Sequence, residues 1–131
     1  MHGYFLNYGT GNNLDYDEQL SHCTAQGGTL AMPRDATENA AIVQAFHDVG
    51  ISSGFVWIGL QRPASYIGPD AEGYVYANGL PLEAHMYQNW AFDAFANVFA
   101  GDRCVAMRLT APSTGKWVVS PCTNNRRAAC Q

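Results

Sequence analysis

Apolar residues recur at helical spacing twice near the start of this chain. In "LDYDEQLSHCTAQGG", Tyr16, Leu20 and Cys23 fall at i, i+4 and i+7, on one face of a helix, which turns Cys23 toward a core. Asp15 stands before that stripe as an N-cap, Glu18 completes a capping box three residues on, and Gly27-Gly28 marks the stop. "PRDATENAAIVQAFHDVG" repeats the grammar: Asp35 and Glu38 form a second Asp-x-x-Glu box, Ile42, Phe46 and Val49 form the buried stripe, and Gly50 ends it. Elsewhere the pattern shortens to strands rich in aromatic and β-branched residues, over Gly3–Tyr8, Gly54–Leu60, Cys104–Leu109, Gly115–Ser120 and Arg127–Gln131. One strand, two helices and then a cluster of strands predict an α+β domain, with helices flanking small antiparallel sheets.

Between Leu60 and Cys104 no period settles. Residues 61–103 hold Gly68-Pro69, Gly73, Gly79 and Pro81, which break up any regular element. A segment this long without secondary structure is either functional or disordered. Tyr74, Tyr76, Tyr87 and Trp90 demand burial, so an ordered long loop is expected.

Composition narrows the class. At 131 residues the chain makes a single domain, 1–131, large enough to bury a real core. Its net charge is −4 and only 14% of residues are charged, so composition offers no basic face to nucleic acid. No run approaches the ~20 apolar residues of a membrane span. No n-region followed by an h-region opens the chain, so the expectation is a mature domain from which any signal peptide has been removed. Four cysteines, Cys23, Cys104, Cys122 and Cys130, without a C-x-x-C pair suggest two disulfides and a secreted or extracellular location; counting alone leaves three pairings open. The histidines His2, His22, His47 and His85 lack metal-ligand spacing, and no H-E-x-x-H, G-x-S-x-G or Walker-type loop occurs. With no nucleophile–base pair and no paired acids to point to, the expectation is a binding module and not an enzyme.

The same residues together resemble one family, the C-type lectin-like domain, in its short form. The resemblance rests on "FLNYGTGNNLDYDEQLSHC" leading into the first helix, "GGTLAMPRDATENAAI" into the second, "WIGL" at Trp57–Leu60, "NW" at Asn89-Trp90, and the closing "CVAM…GKW…C…AAC". The second-helix stretch is most similar to collectins such as mannose-binding protein and surfactant protein D. The resemblance implies the pairs Cys23–Cys130 and Cys104–Cys122, and it implies that residues 61–103 are the long loop region that carries ligands. In the chain-entropy view the longer tie constrains the unfolded chain by about 4 to 5 kcal/mol and the shorter by about 3.

Sugar-binding members of that family hold calcium through a Glu-Pro-Asn or Gln-Pro-Asp after the tryptophan that corresponds to Trp90. Thirteen residues separate Trp90 from Cys104, so the alignment needs no gap, and the triplet falls on Ala94-Phe95-Ala96. The completing Trp-Asn-Asp falls on Trp117-Val118-Val119, the remaining acidic ligand matches Asp102, and an acidic neighbour is replaced by Arg103. Calcium takes six to eight oxygen ligands, usually with several carboxylates. Of five coordinating side chains, four are Ala or Val here. No metal is therefore expected at the usual site, and Val118 with Val119 is expected to form an apolar floor.

Two questions stay open in the loop. Asp93, Asn97 and Asp102, with Asp70 or Glu72, could build a displaced calcium site, or could cap turns and pair with cations. Ala91, Phe95, Val98 and Phe99 follow helical spacing, so this part could be a short helix whose apolar side packs inward. Alternatively Phe92, Phe95 and Phe99 stay exposed as anchors, with Phe95 the foremost because it occupies the place of the sugar-coordinating triplet. The leading expectation is an extracellular module that binds a glycan or protein ligand without calcium, through Asp93, Phe95, Asn97, Phe99, Asp102, Val118 and Val119. A carbohydrate-binding lectin with a displaced calcium site and a structural or oligomerisation domain using the apolar loop are the alternatives.

Overall fold

The computed structural model describes residues 14–63, 72–95 and 101–131, and the backbone of residues 5 and 6. In chain order the elements are β1 (Phe5–Leu6), α1 (Tyr16–Ala25), α2 (Ala36–Asp48), β2 (Phe55–Gln61), β3 (Val75–Tyr76), β4 (Cys104–Arg108), β5 (Trp117–Ser120) and β6 (Arg127–Cys130).

Both helices start where their capping residues stand. At α1 the box is reciprocal: the Glu18 N–H donates to Asp15 Oδ1 and the Asp15 N–H donates to Glu18 Oε1, each at 3.0 Å. At α2 it is shifted by one residue. Asp35 Oδ1 accepts from the Glu38 N–H at 2.7 Å, but Glu38 Oε1 reaches past Asp35 to the Arg34 N–H at 2.8 Å. Each cap contributes about 1 kcal/mol by satisfying backbone donors that have no partner inside the helix.

The buried stripes differ from expectation at their ends. On α1, Tyr16 and Cys23 are buried with Gln19 between them, while Leu20 is half-buried. The amide of Gln19 donates to the Arg126 carbonyl at 2.7 Å, which satisfies a polar group the core would otherwise penalise. On α2 the stripe is Asn39, Ile42 and Phe46. Val49 is the C-cap beyond the last turn and lies exposed, because the chain turns away from the core at Gly50, whose φ is +83°.

Among the described residues the strands join in the order β1-β6-β2-β4-β5, with β3 paired to β2. The β2 strand lies antiparallel to β3 and β4 and parallel to β6, with Trp57 opposite both Ala106 and Ala128. Alternation along β2 separates two apolar layers. Val56, Ile58 and Leu60 pack with Ile42, Phe46, Met107 and Trp117. Trp57 packs with Tyr16, Leu30 and the two disulfides, its ring meeting that of Tyr16 edge-on at 5.6 Å. Cys23–Cys130 ties α1 to β6 with a Cα separation of 5.5 Å, and Cys104–Cys122 ties β4 to the turn after β5 at 5.2 Å. Both distances suit a bridge. No helix among the described residues is long and apolar enough to cross a membrane.

Gly59 explains the glycine inside "WIGL". Its N–H donates to the Ala31 carbonyl at 2.8 Å, and its own carbonyl accepts from Ala77 at 2.9 Å. A Cβ there would stand 2.9 Å from the Leu30 carbonyl oxygen and 3.1 Å from the Ala77 methyl group. Two backbone segments therefore pass too close to β2 for any side chain. Gly59→Ala should cost about 1–3 kcal/mol, read as a lower midpoint in urea unfolding; an unchanged midpoint would mean that these segments yield freely.

Candidate functional site

The described parts of the long loop are anchored in two stages. Residues 74–82 turn back on themselves: the Tyr76 N–H donates to Leu80 O at 2.8 Å and the Leu82 N–H to Tyr74 O at 2.9 Å, with Gly79 at φ +90° supplying the turn. This buries Tyr74, Tyr76 and Leu82. Burial holds the Tyr76 phenol above its ordinary pKa, opposed by the Arg34 guanidinium stacked over its ring at 5.2 Å.

The second stage docks the loop on β5. The Trp117 N–H donates to Asn89 O and the Ala91 N–H donates to Trp117 O, both at 2.9 Å, so the Asn89-Trp90-Ala91 backbone runs as a short parallel bridge beside the strand. The Asn89 amide donates to the Gly115 carbonyl at 2.7 Å, and its oxygen accepts from Lys116 Nζ at 3.0 Å. Trp90 is the hub of the aromatic cluster. Its ring centre lies 5.3 Å from Tyr74, 5.4 Å from Trp117 and 4.9 Å from Phe95, while Tyr87 meets Trp117 edge-on at 5.8 Å.

Asn39 of α2 holds this platform from below. Its Oδ1 accepts from the Trp117 indole N–H at 2.9 Å and its Nδ2 donates to the same Gly115 carbonyl at 3.0 Å. Gly115 sits at φ +86°, and a Cβ there would approach the Asn39 amide nitrogen to 3.0 Å. The sequence pattern passed over Asn39 because it is polar. The signal lay in its position, three residues before Ile42 and seven before Phe46 on the buried stripe.

The expected site residues are dispersed. Asp93 is exposed, Ala94 is buried and Phe95 is half-buried against Trp90. Residues 91–95 form a turn, with the Ala94 N–H donating to Ala91 O at 3.1 Å; Asn97, Val98, Phe99 and Asp70 lie outside the described residues. Asp102 is half-buried beside Arg103, whose guanidinium donates to the Arg62 carbonyl at 3.2 Å. Val118 and Val119 are each half-buried, but in opposite layers: Val118 packs with the Trp57 layer and Val119 with the Trp117 layer. Neighbours on a strand point to opposite faces, so the expected common floor does not form. The residue left fully exposed is Phe92.

This donor set does not fit the family's calcium. Ala94, Phe95, Val118 and Val119 bring no side-chain oxygen, and the Phe95 ring is engaged with Trp90. Among the described residues no three His, Cys, Asp or Glu side chains are gathered where they could hold a metal ion.

Residues 12–131 match the family described as the Lectin C-type domain. The chain belongs to the C-type lectin family. It is 36% identical to Collectin-10 of Gallus gallus over 109 residues, which cover 82% of this chain and 34% of that relative, so it spans about a third of the collectin's length. In three dimensions it superposes on human lithostathine with a TM-score of 0.77 at 21% identity, over 97% of this chain and 88% of that one. A calcium-independent type II antifreeze protein superposes with a TM-score of 0.72 at 21% identity, over 99% and 87%. The family is that of the C-type lectin domain, and these superpositions show that the neighbours share the fold described here.

Removing the support beneath the loop should be costly. Asn39→Ala strips the Trp117 indole of its acceptor inside the core, a loss of about 2 kcal/mol in unfolding free energy, accompanied by a change in tryptophan emission. Wild-type stability with unaltered emission would show that the amide does not hold the platform.

Proposed function

We propose that this C-type lectin domain is an extracellular recognition module that binds a glycan or protein ligand through its long loop region without calcium. The observation that carries this reading is the state of the loop at Phe92 and Phe95. Where sugar-binding relatives are expected to present oxygen ligands, Phe95 packs on Trp90, and Phe92 next to it is fully exposed beside Asp93. A rigid aromatic side chain held on an anchored turn loses little entropy on binding and offers a large apolar contact. Two disulfides fit an oxidising compartment, which supports the extracellular assignment. The antifreeze protein described as calcium-independent supports the compatibility of this fold with work without the ion.

The two phenylalanines divide the labour, and substitution separates them. Phe95→Ala should lower stability by about 1–3 kcal/mol because a packed ring is lost. Phe92→Ala should leave the melting temperature unchanged and weaken capture on a glycan array or an extracellular-protein array, with or without EDTA. Capture abolished by EDTA would favour a displaced calcium site involving Asp93 and Asp102. Self-association that Phe92→Asp abolishes would favour an assembly role.

A further inference from the structure

Charge is segregated along this chain in a way its net value of −4 conceals. All eleven carboxylate side chains precede Arg103, whereas residues 103–131 carry Arg103, Arg108, Lys116, Arg126 and Arg127 and no Asp or Glu. Folding gathers part of this charge on the sheet. Arg108 lies directly across from Phe55 in the β2–β4 pair, and Arg126 immediately precedes β6, which runs beside β2 on the other side. Both guanidinium carbons stand over the Phe55 ring, at 5.5 Å for Arg108 and 4.8 Å for Arg126, and Arg126 also lies 5.3 Å from the Trp57 ring.

Arg126 is fixed in place. Its Nη2 donates to Ser120 Oγ at 2.9 Å, its backbone N–H to Leu14 O at 3.0 Å, and its carbonyl accepts from Gln19. Among the described residues neither arginine forms an ion pair with a carboxylate, and the buried Nε of Arg126 has no hydrogen-bond partner. Stacking on Phe55 would by itself account for the positions of the guanidiniums. It does not neutralise them. Two cations sharing one ring repel each other, and burial already lowers the Arg126 pKa. An oxyanion placed against these guanidiniums would offset their charge and take charge-assisted hydrogen bonds from planar donors suited to it.

We propose that this face, centred on Arg108, Arg126 and Phe55, binds a sulfated polysaccharide. A polymer fits better than a single ion because the positive charge continues along the sheet to Lys116, whose carbonyl accepts from the Arg108 N–H at 2.9 Å and whose exposed ammonium reaches Asn89 at 3.0 Å. A nucleic acid fits less well, because Phe55 lies under guanidinium groups and offers no free ring for base stacking. A lipid surface fits less well too: the exposed large apolar residues among those described are Val49, Leu80 and Phe92, none of them on this face. The surface touches the loop at Asn89 but does not include Phe92, Asp93 or Phe95, so it stands or falls independently of the calcium-free reading above.

The test is calorimetry and surface plasmon resonance with a size-defined heparin octasaccharide at about 50 mM and about 250 mM NaCl. Saturable binding is expected, weakened about tenfold or more at the higher salt. Arg108→Gln and Arg126→Gln should each weaken it about fivefold or more, while Arg34→Gln on the far side, Phe92→Ala and EDTA leave it unchanged. Arg126 packs on two core rings, so Arg108→Gln is the deciding variant if Arg126→Gln lowers stability. Absence of binding at the lower salt would overturn the proposal. So would equal affinity for a desulfated octasaccharide, tighter binding to single-stranded DNA or to anionic phosphatidylserine vesicles, or an Arg108→Gln variant that binds as well as wild type.

Discussion

One buried amide holds the long-loop end of this domain together. Asn39 projects from α2 into the core, accepts the indole N–H of Trp117 and donates to the carbonyl of Gly115. Gly115 can present that carbonyl because its backbone takes a positive φ that a side chain would resist. Asn89 binds the same carbonyl from the loop side, and Trp90 then lies edge-on against Trp117. A helix, a strand and a loop that are remote in sequence are thus fastened at one oxygen atom. Turning the loop into an ordered surface needs this fastening, because residues 72–95 contain only the two-residue β3 as regular strand.

The apolar character of the loop follows from what rests on that platform. Trp90 gathers Tyr74, Trp117 and Phe95 around it, and this cluster fills the space beneath the turn at residues 91–95. A calcium ion in the same region would need converging oxygen atoms and a polar surround. Ala94, Phe95, Val118 and Val119 supply neither. Packing of Phe95 stiffens the turn that displays Phe92, so a core contact and a presented side chain belong to one local structure.

Much of this was legible before folding, for identifiable reasons. The Asp-x-x-Glu boxes fixed both helix starts, because a helix N-terminus has backbone donors that only certain side chains can satisfy. The family resemblance anticipated both disulfides, and the aromatic density of residues 74–90 anticipated an ordered loop. What escaped was whatever depends on direction and partner. Gln19 and Asn39 are polar yet buried, and each is admitted only by an acceptor or donor far away in sequence. Val118 and Val119 look like a pair in sequence but face opposite layers, since strand alternation overrides adjacency. The apolar row correctly pointed Phe95 inward, where it packs on Trp90, but the alternative that made Phe95 the foremost exposed anchor chose the wrong ring, because Phe92 is the one left outside.

The central claim is that this loop has given up the family's metal. A calcium titration by calorimetry on metal-stripped protein tests it most directly. The account predicts no saturable heat down to millimolar affinity and no change in melting temperature on adding the ion. A saturable signal of one site per chain, with a raised melting temperature, would contradict it and would place oxygen ligands, Asp93 and Asp102 first among them, in a displaced calcium site.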